Sequence, residues 1–210
     1  MTQPRGRFIT LEGVDGAGKS SHLGTVRELL EVHGKVVRMT REPGGTEIGE
    51  RLRELLLHHS MTLATETLLI FAARAEHIAQ VIVPALAAGQ WVVCDRFTDS
   101  TYAYQGAARG LGVVPVAQLE RWVQGELQPD VTLLFDLPVE VSLARRKQAS
   151  LELDRFEKED GEFFQRVRTE YQARARHDPG RMHVIDANQT PNEVKNSVEK
   201  VIRRYCLNEQ

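Results

Sequence analysis

The chain has 210 residues, with 27 Lys and Arg against 29 Asp and Glu, a formal net charge of −2 and 41% hydrophobic residues. These values are ordinary for a globular chain. They exclude a wholly disordered, collagenous or coiled-coil protein, and the near balance of charge disfavours a basic face reading long nucleic acid.

Along the chain, short apolar runs alternate with helical patterns. Phe8–Leu11 reads as a buried strand, followed by a glycine-rich turn and a helix from about Lys19 to Val32 that Gly34 ends as a left-handed cap. Lys35–Met39 is a second strand. Glu47–Leu57 is helical, with Ile48, Leu52, Leu55 and Leu56 on one face. A long helix follows, from about Thr65 to Ala88. It carries one apolar stripe of Leu68, Phe71, Ala75, Ile78 and Ile82 and another of Leu69, Ala72, Ala79 and Val83. A helix apolar on two sides is either deeply buried or meets a second subunit. Trp91–Cys94, Val131–Phe135 and His183–Ile185 are further strands. Helices fill the gaps around Tyr102 and at Pro115–Gly125, Val139–Arg146, Glu162–Arg176 and Glu193–Tyr205.

Strands alternating with amphipathic helices predict an α/β fold in one domain over residues 1–210, with a five-stranded parallel sheet covered by helices on both faces. Lys147–Asp160 departs from the pattern: it is charged and lacks a periodic apolar face. It reads as a solvated loop or as a mobile lid. The two cysteines, Cys94 and Cys206, show no metal-ligand spacing and no disulfide framework, which fits a reducing, cytoplasmic setting. Behind Arg5 and Arg7 lies only the short run Phe8–Leu11, so no signal core is expected, and no apolar stretch reaches the ~18 residues of a membrane span.

The strongest chemical signal is Gly13-Val14-Asp15-Gly16-Ala17-Gly18-Lys19-Ser20, with Ser21 behind it. It satisfies G-x-x-x-x-G-K-[ST] and sits between a strand and a helix, as a phosphate-binding loop must. Glycines let backbone N–H groups turn inward onto phosphate oxygens, and the helix begins at its positive end. Lys19 is expected at the β- and γ-phosphates and Ser20 on Mg²⁺, so the chain binds a nucleoside triphosphate with Mg²⁺. A phosphotransferase, a GTPase switch and a motor ATPase then compete. The chain has no guanine-reading Asn-Lys-x-Asp and no strand ending Asp-Glu. Its third strand ends instead in Cys94-Asp95-Arg96. Asp95 is placed to hold Mg²⁺, directly or through water, and Arg96 to grip phosphate in fork geometry.

At this point the sequence resembles the thymidylate kinase family, of the bacterial type, nearly end to end. The resemblance rests on Leu11–Ser20, Thr40-Arg41-Glu42-Pro43-Gly44-Gly45-Thr46, the run Asp95–Gly106, and Leu153-Asp154-Arg155-Phe156-Glu157. It implies a P-loop kinase fold that converts dTMP to dTDP with ATP and Mg²⁺ on the way to dTTP, in a cytoplasmic homodimer. The alternative is a kinase of the same fold acting on another nucleoside monophosphate or a deoxynucleoside.

The resemblance also implies roles. Asp15 would accept from the deoxyribose 3′-hydroxyl. Arg53 and Arg96 would clamp the acceptor phosphate. Arg74 would donate to thymine O4, with Ser100, Thr101 and Gln105 as further contacts, and Tyr104 would crowd the 2′ position. Read alone, Arg53 on its amphipathic helix is more simply a solvated cation than a ligand contact, whereas an arginine in the apolar setting of residue 74 needs an acceptor. Where the family often stacks an aromatic on thymine, this chain has Ile70, with Phe71 one residue later: either Phe71 stacks or Ile70 packs the ring. The phosphate loop lacks an arginine, so the catalytic cation would come from the lid, with Arg155 chosen over Arg145, Arg146 and Lys147; Arg146 is assigned to the adenine side of ATP. Ile185–Gln189 resembles the family's adenine-flanking loop.

Overall fold

The computed structural model describes residues 5–148, residue 156 and residues 159–207. Five parallel strands form one sheet in the order β2-β3-β1-β4-β5, namely β1 Phe8–Glu12, β2 Val37–Arg41, β3 Trp91–Asp95, β4 Val131–Asp136 and β5 Met182–Asp186. Around it pack α1 Lys19–Val32, α2 Glu47–His58, α3 Leu63–His77, α4 Val83–Ala87, α5 Thr98–Thr101, α6 Val113–Gln124, α7 Val139–Gln148, α8 Gly161–His177 and α9 Pro191–Val201. This is the P-loop NTPase fold.

The central strands are continuous apolar runs because both faces are covered: every residue of β1 is buried, as are all but the last of β3 and β4. Polar atoms inside are paired. The Thr10 and Thr132 hydroxyls meet at 2.7 Å across β1 and β4. A large cluster joins Ile9, Leu11 and Val93 of the sheet to Leu30 of α1, Phe164 and Val167 of α8 and Val198 of α9. A second cluster joins Phe8, Val92 and Cys94 to Ile82 and Leu86. Helix starts are capped by side chains: Thr46 accepts from Gly49 N–H, Asp160 from Phe163 N–H, and Thr190 forms a reciprocal capping box with Glu193.

The expected order of elements holds, with differences at the periphery. β2 runs two residues later than expected. It is an edge strand with a half-exposed pattern, so its apolar signal is weak. The expected face of α2 does not form a buried stripe: Leu56 is buried, but Ile48 and Leu55 are 52% and 43% exposed. The long helix is interrupted by a wider π turn at Ile78–Ile82, just ahead of Pro84, which cannot donate to the preceding turn. Similar turns occupy Tyr102–Ala108 and Ile202–Cys206. No periodicity marks them in the sequence.

Both stripes assigned to the long helix divide in the structure. Phe71, Ile78 and Ile82 are buried. Leu68, Ala72, Ala75, Ala79 and Val83 share the opposite, exposed face, with Leu68 at 53% and Val83 at 47%. Contrary to the sequence expectation, Leu63–Ala87 is long and apolar enough to cross a membrane by length and composition. Its inner face, however, packs on α2 and α6 and buries Arg74, Glu66 and His77, as in the core helix of a folded domain.

Leu133 is fully buried in β4, paired with β1 on one side and β5 on the other. Leu133→Ala should cost about 3 kcal/mol, read from denaturant unfolding.

Candidate functional site

The carboxyl ends of β1 and β3 open into a cavity of about 440 Å³, where ligands bind in open α/β sheets. Its walls come from the phosphate loop (Asp15, Gly16, Gly18, Lys19, Ser20), the Arg41-Glu42-Pro43 turn, α2 (Arg53, Leu56, Leu57), α3 (Ile70, Arg74), the Asp95-Arg96-Phe97 turn, and Ser100, Thr101, Tyr104 and Gln105, with Phe156 at the mouth.

The loop conformation demands its glycines. Gly13 has φ 139°, and a Cβ there would lie 2.4 Å from the Phe135 carbonyl oxygen; Gly16 has φ 81° and abuts the Ser142 carbonyl. The Ser142 hydroxyl donates to the Asp15 carbonyl at 2.6 Å and ties the loop to α7. Val14 and Ala17 are buried in the core behind it. Lys19 Nζ is buried and donates to the carbonyls of Gly13 and Val14 at 3.0 and 3.1 Å. Burial, followed by the Arg96 charge, pushes its ammonium down to about 8. An anion bound here would reverse that penalty.

Asp15 and Arg96 form an ion pair across the cavity floor. Burial would raise the Asp15 carboxyl, but Arg96, Lys19 and a 3.0 Å hydrogen bond from the Tyr104 hydroxyl outweigh it and bring it to about 2. Arg96 also donates to the Tyr104, Ser100 and Tyr171 hydroxyls at 3.2, 3.1 and 3.2 Å. Its backbone has φ 70°, a strained value outside glycine, of the kind that gathers at functional sites.

Arg74 is buried beneath the opposite wall. Its Nε donates to Glu42 at 2.7 Å and its Nη2 to the Thr101 hydroxyl at 3.1 Å, while Nη1 has no hydrogen-bond partner among the described residues. Glu42 also takes His77 Nδ1 at 2.8 Å, and His77 Nε2 meets Thr40 at 2.6 Å. Gln105 donates to Glu66 at 2.8 Å. A buried guanidinium whose buried Nη1 is unpaired keeps an unused donor beside the cavity that Arg74 lines.

Of the residues expected from sequence, the structure brings together Asp15, Gly16, Gly18, Lys19, Ser20, Arg53, Ile70, Arg74, Asp95, Arg96, Ser100, Thr101, Tyr104 and Gln105. Arg53 is part of the wall and not solvated alone; it donates to the Pro43 carbonyl at 2.9 Å. Phe71 does not line the cavity. It clusters with Tyr102 and Val116, 4.8 Å from the Arg74 guanidinium, so the wall position falls to Ile70. Ser21 is exposed on α1, and Arg146 lies on α7, 4.1 Å over the Phe164 ring. Arg155 and most of the expected lid lie outside the described residues. Arg41, Glu42, Leu56, Leu57 and Phe156 carried no assigned role. The Arg41-Glu42-Pro43 motif was a usable signal for the first two.

For a divalent cation, Asp95 Oδ1 is buried without a hydrogen-bond partner among the described residues, and Ser20 is exposed at the cavity. Among the described residues no three His, Cys, Asp or Glu side chains converge into a cage. The donor set thus fits Mg²⁺, which binds through one or two protein oxygens together with phosphates and water.

Comparison with known proteins agrees with this geometry. The thymidylate kinase family profile matches residues 11–198. The thymidylate kinase of Bordetella pertussis is 56% identical over 200 residues, covering 95% of this chain and 96% of that protein. That of Methylobacillus flagellatus is 56% identical over 201 residues, covering 96% and 98%. The crystal structure of thymidylate kinase from Ehrlichia chaffeensis superposes with a TM-score of 0.78 at 35% identity, covering 95% of this chain and 99% of that one.

The Asp15 environment makes a test. Its carboxyl lies below its ordinary value in the fold, so it contributes stability above about pH 4 that is lost as pH falls through about 2. Urea unfolding should find wild type more stable than Asp15→Asn at about pH 6, with the gap closing on acidification. A gap independent of pH would contradict this electrostatic picture.

Proposed function

The chain belongs to the thymidylate kinase family, and from that premise we propose how its residues carry out the family's reaction. The enzyme phosphorylates dTMP to dTDP with ATP as donor and Mg²⁺. In our reading it does so as one kinase domain over the whole chain.

The phosphate loop takes the triphosphate, its backbone N–H groups and Lys19 meeting the phosphate oxygens, with Arg146 on the adenine side. Ser20 and Asp95 hold Mg²⁺, which neutralises charge on the transferring group when bound. Arg96 and Arg53 clamp the acceptor phosphate. That phosphate replaces the Asp15 carboxylate as the principal anion at Arg96 and frees Asp15 to accept from the 3′-hydroxyl. Tyr104, held against Asp15, crowds the 2′ position. Arg74 donates to O4 of thymine, Thr101 and Gln105 flank the base, and Ile70 packs its ring. Cytosine carries an amine at that position and would leave the Arg74 donor unpaired. Arg155 of the lid supplies a further cation to the transferring phosphoryl group. No general base is required, because the acceptor monophosphate is ionised near neutral pH.

The observation that carries the acceptor assignment is Arg74: buried, fixed by Glu42 and Thr101, and keeping Nη1 open. Turnover of a nucleoside monophosphate panel tests it. dTMP should exceed dCMP and AMP by roughly 100-fold or more in kcat/KM, and a preference for dCMP or AMP would overturn the reading. Arg74→Lys keeps a cation for Glu42 and removes the fork. It should raise KM for dTMP roughly 10- to 100-fold and leave KM for ATP unchanged. An equal loss for both substrates would make Arg74 structural.

The same reading includes a cytoplasmic homodimer. The stripe Leu68, Ala72, Ala75, Ala79 and Val83 is exposed, as are Ile48 and Leu55 on α2, the helix that packs against α3. An apolar face of this kind, with small residues along its centre, suits a second copy of the same helix. Leu68→Glu should convert a dimer to a monomer in analytical ultracentrifugation; a monomeric wild type would refute the assignment.

A further inference from the structure

Glu12, the last residue of β1, lies outside the cavity walls and is fully buried. A carboxylate at such a place costs desolvation, and an apolar residue would fill the space without it. Its two oxygens are nevertheless fully employed. Oε1 accepts the Phe97 backbone N–H at 2.7 Å. Oε2 accepts the Ser100 hydroxyl at 2.6 Å and the Tyr171 hydroxyl at 2.8 Å. Those two hydroxyls are the ones that receive Arg96 Nη1.

We propose that Glu12 is a positioning residue for Arg96, orienting the acceptor-phosphate clamp through Ser100, Tyr171 and the Phe97 amide. The inference rests on the reading of Arg96 given above. Each hydroxyl has one proton. The two hydroxyl oxygens also lie 2.8 Å apart, and the Glu12 carboxylate, as the stronger acceptor, draws both protons to Oε2 and leaves both oxygens presenting lone pairs to the guanidinium. The Phe97 bond fixes the backbone on one side of strained Arg96, while the Arg96 N–H, 3.0 Å from the Leu11 carbonyl, fixes it on the other. A left-handed non-glycine residue persists only where its surroundings over-determine it.

The groups around Glu12 make the arrangement sensitive to which oxygen carries a proton. Arg96 stands on the β3–α5 turn, Asp99 on α5, Tyr171 on α8 and Lys19 on α1. Burial, then Asp99, raises the Glu12 carboxyl above its ordinary value, and Ser100, Arg96 and Tyr171 draw it back. Asp99 is itself paired with Arg174 at 2.6 Å and Arg181 at 2.7 Å, which limits its repulsion of Glu12.

The test is steady-state kinetics and thermal melts on the full chain with Glu12→Gln, Tyr171→Phe and Arg96→Ala, alone and combined. Glu12→Gln replaces an acceptor with a donor, so the hydroxyl protons lose their acceptor and turn toward the guanidinium. It should lower kcat/KM for dTMP roughly 10- to 100-fold while KM for ATP stays within about twofold. Tyr171→Phe, which deletes one hydroxyl and spares the fold if Glu12→Gln does not, should lower it about threefold to tenfold. Neither change should add to Arg96→Ala. If Arg96→Ala leaves dTMP turnover intact, the phosphate-clamp reading fails. If Arg96→Ala is impaired but folded Tyr171→Phe is normal, or if the losses multiply in the Arg96→Ala background, Glu12 does not act through Arg96.

Discussion

The pairing of β1 with β3 places Leu11 opposite Asp95, and the Arg96 N–H extends that ladder by donating to the Leu11 carbonyl. Immediately beyond that point β1 gives way to the phosphate loop and β3 to the Asp95-Arg96 turn. One strand register therefore sets the separation of the two loops that the reaction must bring together. A slip of one residue would turn every side chain of β3 to the other face and carry Asp95 away from Ser20 and Arg96 away from Asp15. Close packing of unlike side chains on both faces, with register-specific contacts such as the Thr10–Thr132 hydroxyl pair, holds the strands against that slip.

Within this frame the cavity holds more cation than a neutral ligand would need: Lys19, Arg53, Arg74 and Arg96 line it, with Arg41, which pairs with Glu50. Without ligand, each is held by something smaller than a nucleotide. Loop carbonyls hold Lys19, the Pro43 carbonyl takes Arg53, Glu42 holds Arg74, and Asp15 holds Arg96. The pairs differ in kind. Glu42 takes Arg74 Nε and leaves Nη1 unpaired among the described residues. Asp15 pairs with Arg96 Nη2 at the cavity, so an anion binding at that nitrogen would have to displace the carboxylate. Preorganisation of this sort lowers the ordering cost that a ligand would otherwise meet.

Much of this was legible in the sequence because the signals are local. Gly13–Ser20 names its own geometry, and Asp95-Arg96 follows directly on an apolar strand. Arg74 drew notice because an arginine among apolar helix positions needs an acceptor. The acceptor itself, Glu42, lies 32 residues away in the chain, and no periodicity reports such a pairing. Glu12 shows the same limit more sharply, since its Tyr171 partner is 159 residues distant. Phe71 and Ile70 were inseparable because the choice depends on a helix rotation that packing against Tyr102 and Val116 decides. The α2 stripe misled for a related reason: amphipathic spacing shows that a face exists, not that this chain covers it.

The wide turn at Tyr102–Ala108 fits one more residue into its span than an α-helical turn would. Removing that one extra residue would restore ordinary helical winding and leave the turns on either side in nearly their present phase. Arg109, which reaches Glu66 on α3 and Glu159 ahead of α8, would keep its direction. This turn can thus lose its extra residue with less disturbance than the regular turns of α1 or α8 could lose one, so a one-residue change of length should be better tolerated here than in those helices.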